Sequence, residues 1–229
     1  MISVVIPVLN EADNLRRLLP QLLGGTEKPY EIIVVDGDSN DGSADVAKQL
    51  GAKVLRTESN RGKQLIAGAN QCRGEVLLFL HADCAVPKDG LQRISEILKQ
   101  QPDALGGNFS LKFDGNDGFS RWLTSFYAWI RAKGLYYGDS GMFIRHDVYQ
   151  EMGGFRPLAV MEDYELAMRM QEHPRPTVCI TKTSLTTSSR RFHGRWRINI
   201  IAGWLIMHAL FALNTSDRKL ARFYNSKRA

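Results

Sequence analysis

The fold of this chain is decided by the stretch EVLLFLHADC at residues 75–84. Its first six residues form an apolar run of a length and composition typical of a strand buried on both faces. A polar cluster that contains Asp83 follows this run at once. In open α/β sheets ligands bind outside the carboxyl ends of the strands, so we predict that Asp83 lies at a functional site. The alternative is that Asp83 only opens a turn before Pro87.

Strand and helix patterns alternate upstream of this stretch. Residues 2–8, 30–35 and 52–55 are apolar runs predicted as strands, and apolar positions at helical spacing follow each of them. This β-α-β-α-β-α-β order implies right-handed crossovers and a mostly parallel sheet. We therefore predict an α/β fold in which a mostly parallel, twisted sheet is flanked by helices. It would be a single domain with a C-terminal helical extension.

The net charge of the chain is concentrated at its C-terminal end. Residues 187–229 carry nine basic side chains and one acidic side chain, whereas residues 1–186 carry 21 and 23. A basic tail suggests a polyanion, an anionic membrane surface or a phosphorylated substrate as its partner. We expect no nucleic-acid partner, because no recognised nucleic-acid-binding module accompanies the tail.

The cysteines and the N-terminus indicate a cellular compartment. Cys72, Cys84 and Cys179 form no Cys-x-x-Cys pair, which argues against a disulfide framework or a zinc cage and is consistent with a reducing cytosol. The N-terminus has no basic region of the kind found in signal peptides and runs straight into the first predicted strand. We expect a cytoplasmic protein, and the basic tail leaves open a peripheral position on the inner membrane face.

Two apolar segments have more than one interpretation. Residues 198–213 carry no full charge but are fewer than the ~20 residues that a membrane-spanning helix needs. A buried or homodimer-forming helix, a helix in the membrane interface and a true span are therefore all open.

Residues 119–130 place several large apolar side chains on one helical face, which favours the core over an acceptor-binding wall or a membrane-facing surface. These side chains are Phe119, Trp122, Leu123, Phe126 and Ile130.

Charged residues follow the predicted strands. They are Glu11, Asp36 with Asp38, Arg61 with Lys63, and Asp83, and Asp163 begins a later helix. Because the carboxyl ends of parallel strands meet at one edge of a sheet, these groups could form a single cleft. No G-x-G-x-x-G turn and no G-x-x-x-x-G-K-[ST] loop is present, so a bound phosphate would be neutralised by a metal and side chains. Asp83 would hold the metal, and Arg61 or Lys63 would balance the charge.

The order of these motifs resembles that of family 2 glycosyltransferases of the GT-A fold. The matching stretches are VVIPVLNE at 4–11, DGDSNDGS at 36–43, NRGK at 60–63, HADC at 81–84 and ED at 162–163. The resemblance implies a glycosyltransferase of the hexosyltransferase type. Such an enzyme moves a sugar from a nucleotide-diphosphate donor to a hydroxyl acceptor, with inversion at the anomeric carbon and with a divalent metal, Mn²⁺ or Mg²⁺.

The resemblance also implies a nucleotide and metal site. Its nucleotide-binding residues would be Pro7, Leu9, Asn10, Glu11, Asp36, Asp38, Arg61, Lys63, His81, Ala82 and Asp83. Asp83 and His81 would hold the metal, with His81 in place of the first acid of the family's D-x-D motif. Imidazole is a weaker ligand for Mg²⁺ than for Mn²⁺, so His81 leaves the identity of the metal open.

By the same resemblance the catalytic residues would be Asp163, as the general base that takes the proton of the acceptor hydroxyl, and Glu162 beside it. Asp163 could instead only stabilise the first turn of its helix. Asp139, Ser140 and Gly141 would contact the acceptor. Arg190, Arg191 or Arg195 would bind the diphosphate, because RRFHGRW at 190–196 is partly similar to the Q-x-x-R-W segment of processive members. The glutamine is missing, so we do not expect processive polymerisation.

These assignments divide the chain into a glycosyltransferase domain at residues 1–190 and a basic, apolar helical extension at 191–229. Within the domain, a nucleotide-binding half covers about 1–100 and an acceptor half about 101–190. Two other functions stay open. A sugar nucleotidyltransferase would need a glycine-rich loop and a basic residue after the first strand, and neither is present. A catalytically impaired nucleotide-sugar-binding or membrane-associated partner protein is kept open by the His81 replacement. The acceptor would be lipid-linked or membrane-proximal, and the sequence does not identify the donor's base or sugar.

Overall fold

The computed structural model describes residues 1–189, 192, 196–213 and 215–226. The described residues form a seven-stranded sheet in the order β3-β2-β1-β4-β6-β5-β7. The strands are β1 (Ile2–Val8), β2 (Glu31–Asp36), β3 (Lys53–Arg56), β4 (Val76–Phe79), β5 (Gly106–Phe113), β6 (Met142–Arg145) and β7 (Thr177–Thr187). The helices are α1 (Ala12–Leu23), α2 (Ser43–Gln49), α3 (Arg61–Ala69), α4 (Gly90–Gln100), α5 (Gly118–Ala132), α6 (His146–Glu151), α7 (Glu162–Glu172), α8 (Arg197–Ala212) and α9 (Asp217–Ser226).

The sheet is mostly parallel, as the alternation of strands and helices predicts. Strands β3, β2, β1 and β4 are parallel to one another. Strand β6 enters between β4 and β5 and runs antiparallel to both, while β5 pairs in parallel with β7. The carboxyl ends of β1, β2 and β4 therefore lie side by side at one edge of the sheet.

The sheet separates two hydrophobic cores. Val4 and Ile6 of β1 pack in the core that contains α1, α2 and α4, whereas Val5 packs in the core of α3, α6 and α7. All three side chains are fully buried. Such a strand is covered on both faces, which explains its continuous apolar sequence.

Strand β5 combines a buried start with an alternating end. Its first four residues, 106–109, are all buried. The alternation of Phe109, Leu111 and Phe113 with polar residues predicted a strand with one exposed face, and in this part of β5 Phe109 and Phe113 are buried while Lys112 between them is exposed.

Helix α3 is fixed to the loop before α7 and to the ends of β1 and β2. The backbone N–H of Gly62 donates to the carbonyl of Leu158 at 3.0 Å, and a Cβ at position 62 would lie only 2.4 Å from that oxygen. Glycine is therefore needed for this close approach. The buried Gln64 side chain donates to the carbonyls of Val8 at 2.9 Å and Val35 at 2.8 Å. Together these contacts position Arg61, the first residue of α3.

Helix α5 presents an aromatic ladder instead of a core face. Its buried residues are Ser120, Leu123 and Ile130. The other side carries Phe119, Trp122, Phe126 and Trp129, whose successive ring centroids lie 5.9, 5.4 and 6.3 Å apart in stacked pairs. The predicted core position of Phe119, Trp122 and Phe126 was wrong, because only the narrow side of α5 packs against β5.

Helices α8 and α9 pack against the loop before α7. Met207 of α8 contacts Val160 and Leu220 in a small apolar cluster, and the Asp217 side chain accepts a hydrogen bond from the backbone N–H of Ala159 at 3.0 Å. Met207 is the sole buried residue of α8, so of the interpretations left open by the sequence, a helix buried within this chain does not describe most of its surface. Among the described helices, none combines the length and the apolar character that crossing a membrane requires.

Candidate active site

Helix α7 begins with two acids that share one arginine. Glu162 and Asp163 open the helix, and Met161 before them has a left-handed backbone with φ of 64°. The Arg61 Nε bonds to Glu162 Oε1, and its Nη2 lies 3.6 Å from Asp163 Oδ2. Glu162 is fully buried and Asp163 is 6% exposed. The two acids therefore lie next to a single cation in a site largely shielded from water.

The environment separates the pKa values of the two acids. Burial raises the pKa of Glu162 to about 7. The positive charge of Arg61 lowers this pKa, but the negative charge of Asp163 partly offsets that effect. Burial also acts on Asp163, but the charges of Arg61 and His81, with two backbone N–H donors, hold its pKa below the usual value. Asp163 is therefore the acid that stays ionised, and such a divergence is common where two carboxyls have different roles.

Asp163 is held from the opposite side by Gly138, the first residue of a short 3₁₀ helix (Gly138–Ser140). The Gly138 N–H donates to Asp163 Oδ2 at 2.8 Å. A Cβ at this glycine would lie 2.9 Å from His81 Nε2 and 3.0 Å from Asp163 Oδ2. The absence of a side chain at position 138 thus lets His81 and Asp163 approach each other.

Asp163 lines a cavity of about 190 Å³ between α5, α7, α8 and α9. Its polar lining includes Arg61, His81, Asp139 and Asp163, all predicted from the sequence. The remaining lining is mainly aromatic and apolar and consists of Phe126, Tyr127, Tyr137, Val160, Met161, Phe192, Asn199, Ile200, Gly203, Trp204, Met207, His208, Phe223 and Tyr224. A concave apolar space with a few convergent polar groups is the usual form of a small-molecule site.

The predicted nucleotide-binding residues lie at the ends of β1 and β2. Leu9 is 46% exposed, while Asp36 is buried and accepts a hydrogen bond from the Ser39 N–H at 3.2 Å. Pro7 is half-buried in β1, and both Asn10 and Asp38 have left-handed backbones, with φ of 57° and 71°.

Hydrogen bonds join the loops that follow β1 and β2. The backbone N–H groups of Asn10, Glu11 and Ala12 donate to Ser39, Ser43 and Asp41 at 2.8 to 2.9 Å. The Glu11 side chain accepts a hydrogen bond from Asn14. These bonds fix both loops and leave the Leu9 side chain exposed beside them.

Some predicted residues lie elsewhere. Ser140 and Gly141 are buried: Ser140 Oγ bonds to the Tyr137 carbonyl at 2.6 Å, and Gly141 packs under Leu185. They support the wall of the cavity and are not part of its lining, because the 3₁₀ helix turns them into the fold. Lys63 pairs with Glu58 on the surface, and Ala82 is buried. Arg190, Arg191 and Arg195 lie outside the described residues.

The proposed metal ligands do not form a ready-made cage. No group of three or more His, Cys, Asp or Glu side chains within the described part of the chain is arranged to hold a metal ion. Asp83 is half-buried in the turn after β4, and His81 lies beside Asp163 in the cavity. Mg²⁺ in particular often binds one or two carboxylates together with substrate phosphates. Asp83 fits a cation that is bound in this way, with the phosphates of a donor.

Three of the cavity residues that the sequence did not predict meet at one hydrogen-bonded contact. Tyr137, Trp204 and His208 meet at the Tyr137 hydroxyl, which lies 2.7 Å from His208 Nε2 and accepts from Trp204 Nε1. In the sequence, His208 appeared only as an interruption of the apolar segment. The four-residue spacing of Trp204 and His208, which places both on one face of a helix, could have marked them.

A mostly parallel sheet with acids at its carboxyl edge, beside a cavity, defines a GT-A type fold, and solved structures agree. S. aureus TarS (residues 1–349, with UDP) gives a TM-score of 0.65 at 18% identity, covering 82% of this chain and 60% of that chain. Mannosyltransferase PcManGT from Pyrobaculum calidifontis, with GDP-Man and Mn²⁺, gives 0.67 at 17% identity, covering 94% and 64%. These likenesses confirm the predicted fold.

The family model described as Glycosyl transferase family 2 matches residues 3–160. The chain belongs to glycosyl transferase family 2, which confirms the resemblance. Glycosyltransferase AglE of Haloferax volcanii is 28% identical over an alignment of 168 residues. The alignment covers 67% of this chain and 55% of AglE. Undecaprenyl-phosphate 4-deoxy-4-formamido-L-arabinose transferase of Serratia proteamaculans is 32% identical over an alignment of 158 residues. The alignment covers 63% of this chain and 48% of the Serratia protein. The chain spans about half the length of these curated relatives.

The raised pKa of Glu162 predicts a pH-dependent stability. A carboxyl whose folded pKa lies above its unfolded value contributes stability that is fully present below the unfolded pKa and is lost as pH rises through the folded pKa. For Glu162 this loss falls between about pH 4.5 and 7. We expect the unfolding free energy of the wild type, relative to that of Glu162→Gln, to fall as the pH rises across this range. Chemical denaturation measures this difference.

The exposed Gln100 at the end of α4 supplies the control. Gln100→Ala should differ from the wild type by a constant amount across the same range, since this substitution changes no titratable group. Burial lowers the pKa of His208 to about 4, so this residue changes the unfolding free energy with pH in the opposite direction. His208 is present in all three proteins, so its contribution cancels when they are compared. A constant difference between the wild type and Glu162→Gln would contradict the raised pKa.

Proposed function

We propose that this protein is an inverting glycosyltransferase that moves a sugar from a nucleotide-diphosphate donor to a hydroxyl acceptor. The observation that carries the proposal is the position of Asp163. An ionised carboxylate, held by the Gly138 N–H and beside Arg61, lines an aromatic cavity near the carboxyl edge of the sheet. Membership of glycosyl transferase family 2 supports the same reaction class.

In the proposed step the acceptor oxygen forms a bond to the anomeric carbon while the bond from that carbon to the diphosphate oxygen breaks on the opposite face. The acceptor proton passes to a carboxylate oxygen of Asp163. This single displacement inverts the anomeric centre and requires one base, unlike the paired carboxylates of glycosidases. Glu162 holds Arg61 beside Asp163, and Arg61 helps to keep the base ionised.

The donor would occupy the edge formed by β1, β2 and β4. Leu9 and Pro7 would contact the nucleoside, and Asp36 would accept a hydrogen bond from the base. Asp83 would hold a divalent cation, with His81 as a candidate second ligand, and that cation supplies stabilisation of the negative charge on the leaving diphosphate when it is bound. Arg190, Arg191 or Arg195 would add positive charge to the diphosphate.

The charges around the cavity support a hydroxyl acceptor. The Serratia relative is named for undecaprenyl phosphate. In this chain Asp139 and Asp163 line the cavity, and the charge of Arg61 is shared with Glu162. A phosphate acceptor would be repelled by these carboxylates, whereas a hydroxyl needs the base that Asp163 provides. We propose a sugar or lipid-linked sugar whose hydroxyl reacts.

The outer surface of α8 supports contact with a membrane. Ile198, Leu205 and Ile206 are 72%, 55% and 43% exposed, and Trp196 before the helix is 78% exposed. Exposed cations flank this surface, with Arg197 before it and Arg218, Lys219 and Arg222 on α9. An apolar face with basic flanks binds anionic membrane interfaces by burial and by charge. We propose a peripheral position that brings the cavity close to a lipid-linked acceptor.

The role of Asp163 is tested by Asp163→Asn. We expect turnover to fall about 10²-fold or more, because the general base is lost, while donor binding stays nearly intact. The measurement is single-turnover transfer from UDP-GlcNAc or GDP-Man, with donor binding followed by calorimetry. Asp147→Asn is a matched control, since Asp147 lies in the first turn of α6 and bonds to the next backbone N–H, as Asp163 does in α7.

An equal loss of donor binding in Asp163→Asn would reassign this residue to a structural role. An acid limb near pH 7 in the kcat/KM profile of the wild type would instead identify Glu162 as the base, because its pKa is about 7. Donor binding by a wild type without hydrolysis or transfer would favour the non-catalytic partner protein.

The metal site is tested by Asp83→Ala. We expect Mn²⁺ to strengthen binding of UDP or GDP to the wild type about tenfold or more and to have little effect on the variant, because Asp83 would be the carboxylate ligand of the cation. Nucleotide titrations with and without Mn²⁺ measure this difference. Asp103→Ala, at an exposed position, is the control. Equal titration curves with and without Mn²⁺ in the wild type would remove the metal from the proposal.

Membrane contact is tested by sedimentation with vesicles that contain phosphatidylglycerol. We expect binding at low salt that weakens as salt rises, because exposed charges are screened. Leu205→Glu on α8 should reduce binding about tenfold or more by placing a charge in the apolar face. Leu23→Glu, a similarly exposed leucine at the end of α1, should not. Full recovery of the wild type in the supernatant at low salt would contradict the proposal.

A further inference from the structure

Helix α8 is fastened to the active site by a polar contact, which we call the roof contact and which consists of Tyr137, Trp204 and His208. Trp204 Nε1 donates to the Tyr137 hydroxyl at 2.5 Å, and this hydroxyl lies 2.7 Å from His208 Nε2. The rings of Trp204 and His208 are 4.2 Å apart, and His208 also packs edge-on against Tyr164 at 4.4 Å.

The Tyr137 hydroxyl can bridge the two rings of the roof contact. An indole N–H can only donate, so the Tyr137 oxygen accepts from Trp204, and its own proton can be donated to His208 Nε2. In that arrangement His208 Nε2 is the acceptor and the imidazole is neutral, with its proton on Nδ1. Burial, which lowers the pKa of His208 to about 4, is consistent with this state.

The roof contact is linked to the general base through one peptide unit. Tyr137 binds α8 with its side chain, and the next residue, Gly138, binds Asp163 with its backbone N–H at 2.8 Å. Tyr137, Trp204 and His208 all line the same cavity as Asp163. A molecule bound against the roof contact would therefore lie beside the base.

A purely structural role would not need these residue types. Burying hydroxyl and imidazole groups costs free energy that apolar side chains would not cost. The three side chains are half-buried and border the cavity, whereas the apolar anchor of α8 is Met207 in a separate cluster. Polar groups placed on a cavity wall, opposite a base, are suited to orienting a bound molecule.

We propose that the roof contact positions the acceptor, and that the acceptor part which enters the cavity is a single neutral ring that bears hydroxyl groups, such as a pyranose. This inference rests on the proposed glycosyl transfer. A cavity of about 190 Å³ is smaller than the usual range for drug-sized ligands, and its aromatic walls fit the apolar face of one ring. Tyr137, Trp204 and His208 are thus positioning residues that determine acceptor specificity.

The test compares the wild type with Tyr137→Phe, His208→Gln and His208→Leu. The donors are UDP-GlcNAc and GDP-Man, and the acceptor probes are methyl pyranosides of glucose, mannose and N-acetylglucosamine. Transfer to the pyranoside and hydrolysis of the donor by water are measured side by side. Tyr30→Phe, at a 51% exposed tyrosine, is the matched control.

We expect Tyr137→Phe to raise the acceptor KM about tenfold or more, because a half-buried polar contact on the cavity wall is left incomplete. Donor hydrolysis and donor KM should stay within about twofold, since the groups proposed to bind the donor are unchanged. His208→Gln, which can still accept a hydrogen bond, should keep more transfer activity than His208→Leu. In nuclear magnetic resonance spectra of the wild type, the proton of His208 should reside on Nδ1.

Each contrary outcome has a separate meaning. A parallel loss of donor hydrolysis and transfer in Tyr137→Phe, or an unchanged acceptor KM, overturns the positioning role. A wild type that transfers to undecaprenyl phosphate but to no pyranoside overturns the acceptor class and leaves glycosyl transfer intact. A wild type that neither hydrolyses a donor nor transfers its sugar overturns the proposed function itself.

Discussion

The ion cluster of Arg61 with Glu162 and Asp163 joins the two halves of the molecule. Arg61 begins α3 and Glu162 begins α7, 101 residues later in the chain. Removing one partner of a buried ion pair costs about 3–5 kcal/mol, because the other charge is left uncompensated. Since Gln64 ties α3 to the ends of β1 and β2, this cluster fixes the candidate base relative to the edge where a nucleotide would lie. The position of Asp163 thus depends on residues far away in sequence.

The fold and part of the site could be predicted because they follow from local rules. Apolar runs and helical periodicity define the alternation up to β4, and the winding of a parallel sheet then gathers the residues after its strands. Arg61 and His81, which follow β3 and β4, reach the cavity for this reason, whereas Asp139 and Asp163 were predicted from the family resemblance. The antiparallel insertion of β6 between β4 and β5 has no local signal, because strand pairing is decided by tertiary packing.

Many of the site residues that the sequence did not predict lie on the apolar helices α5 and α8. The sequence of α5 or α8 shows that a face is apolar but not what covers it, and a core, a cavity and a lipid surface all favour the same side chains. Phe126 and Trp204 therefore gave no sign that they would meet in the lining of the cavity, with ring centroids 6.2 Å apart. Ser140 and Gly141 show the reverse case, in which small residues typical of a binding loop are buried by the turn that contains them.

Helix α8 is apolar on two sides, which distinguishes it from an ordinary surface helix with one apolar stripe. Its inner side carries Trp204 and Met207 toward the cavity, and its outer side exposes Ile198 and Leu205. If the outer side contacts a membrane, the helix separates lipid from the candidate base by roughly its own diameter, about 10 Å. A reacting group at the level of the lipid headgroups would then stop short of Asp163, whereas a hydroxyl on a sugar ring that extends beyond the headgroup could pass the helix and reach it.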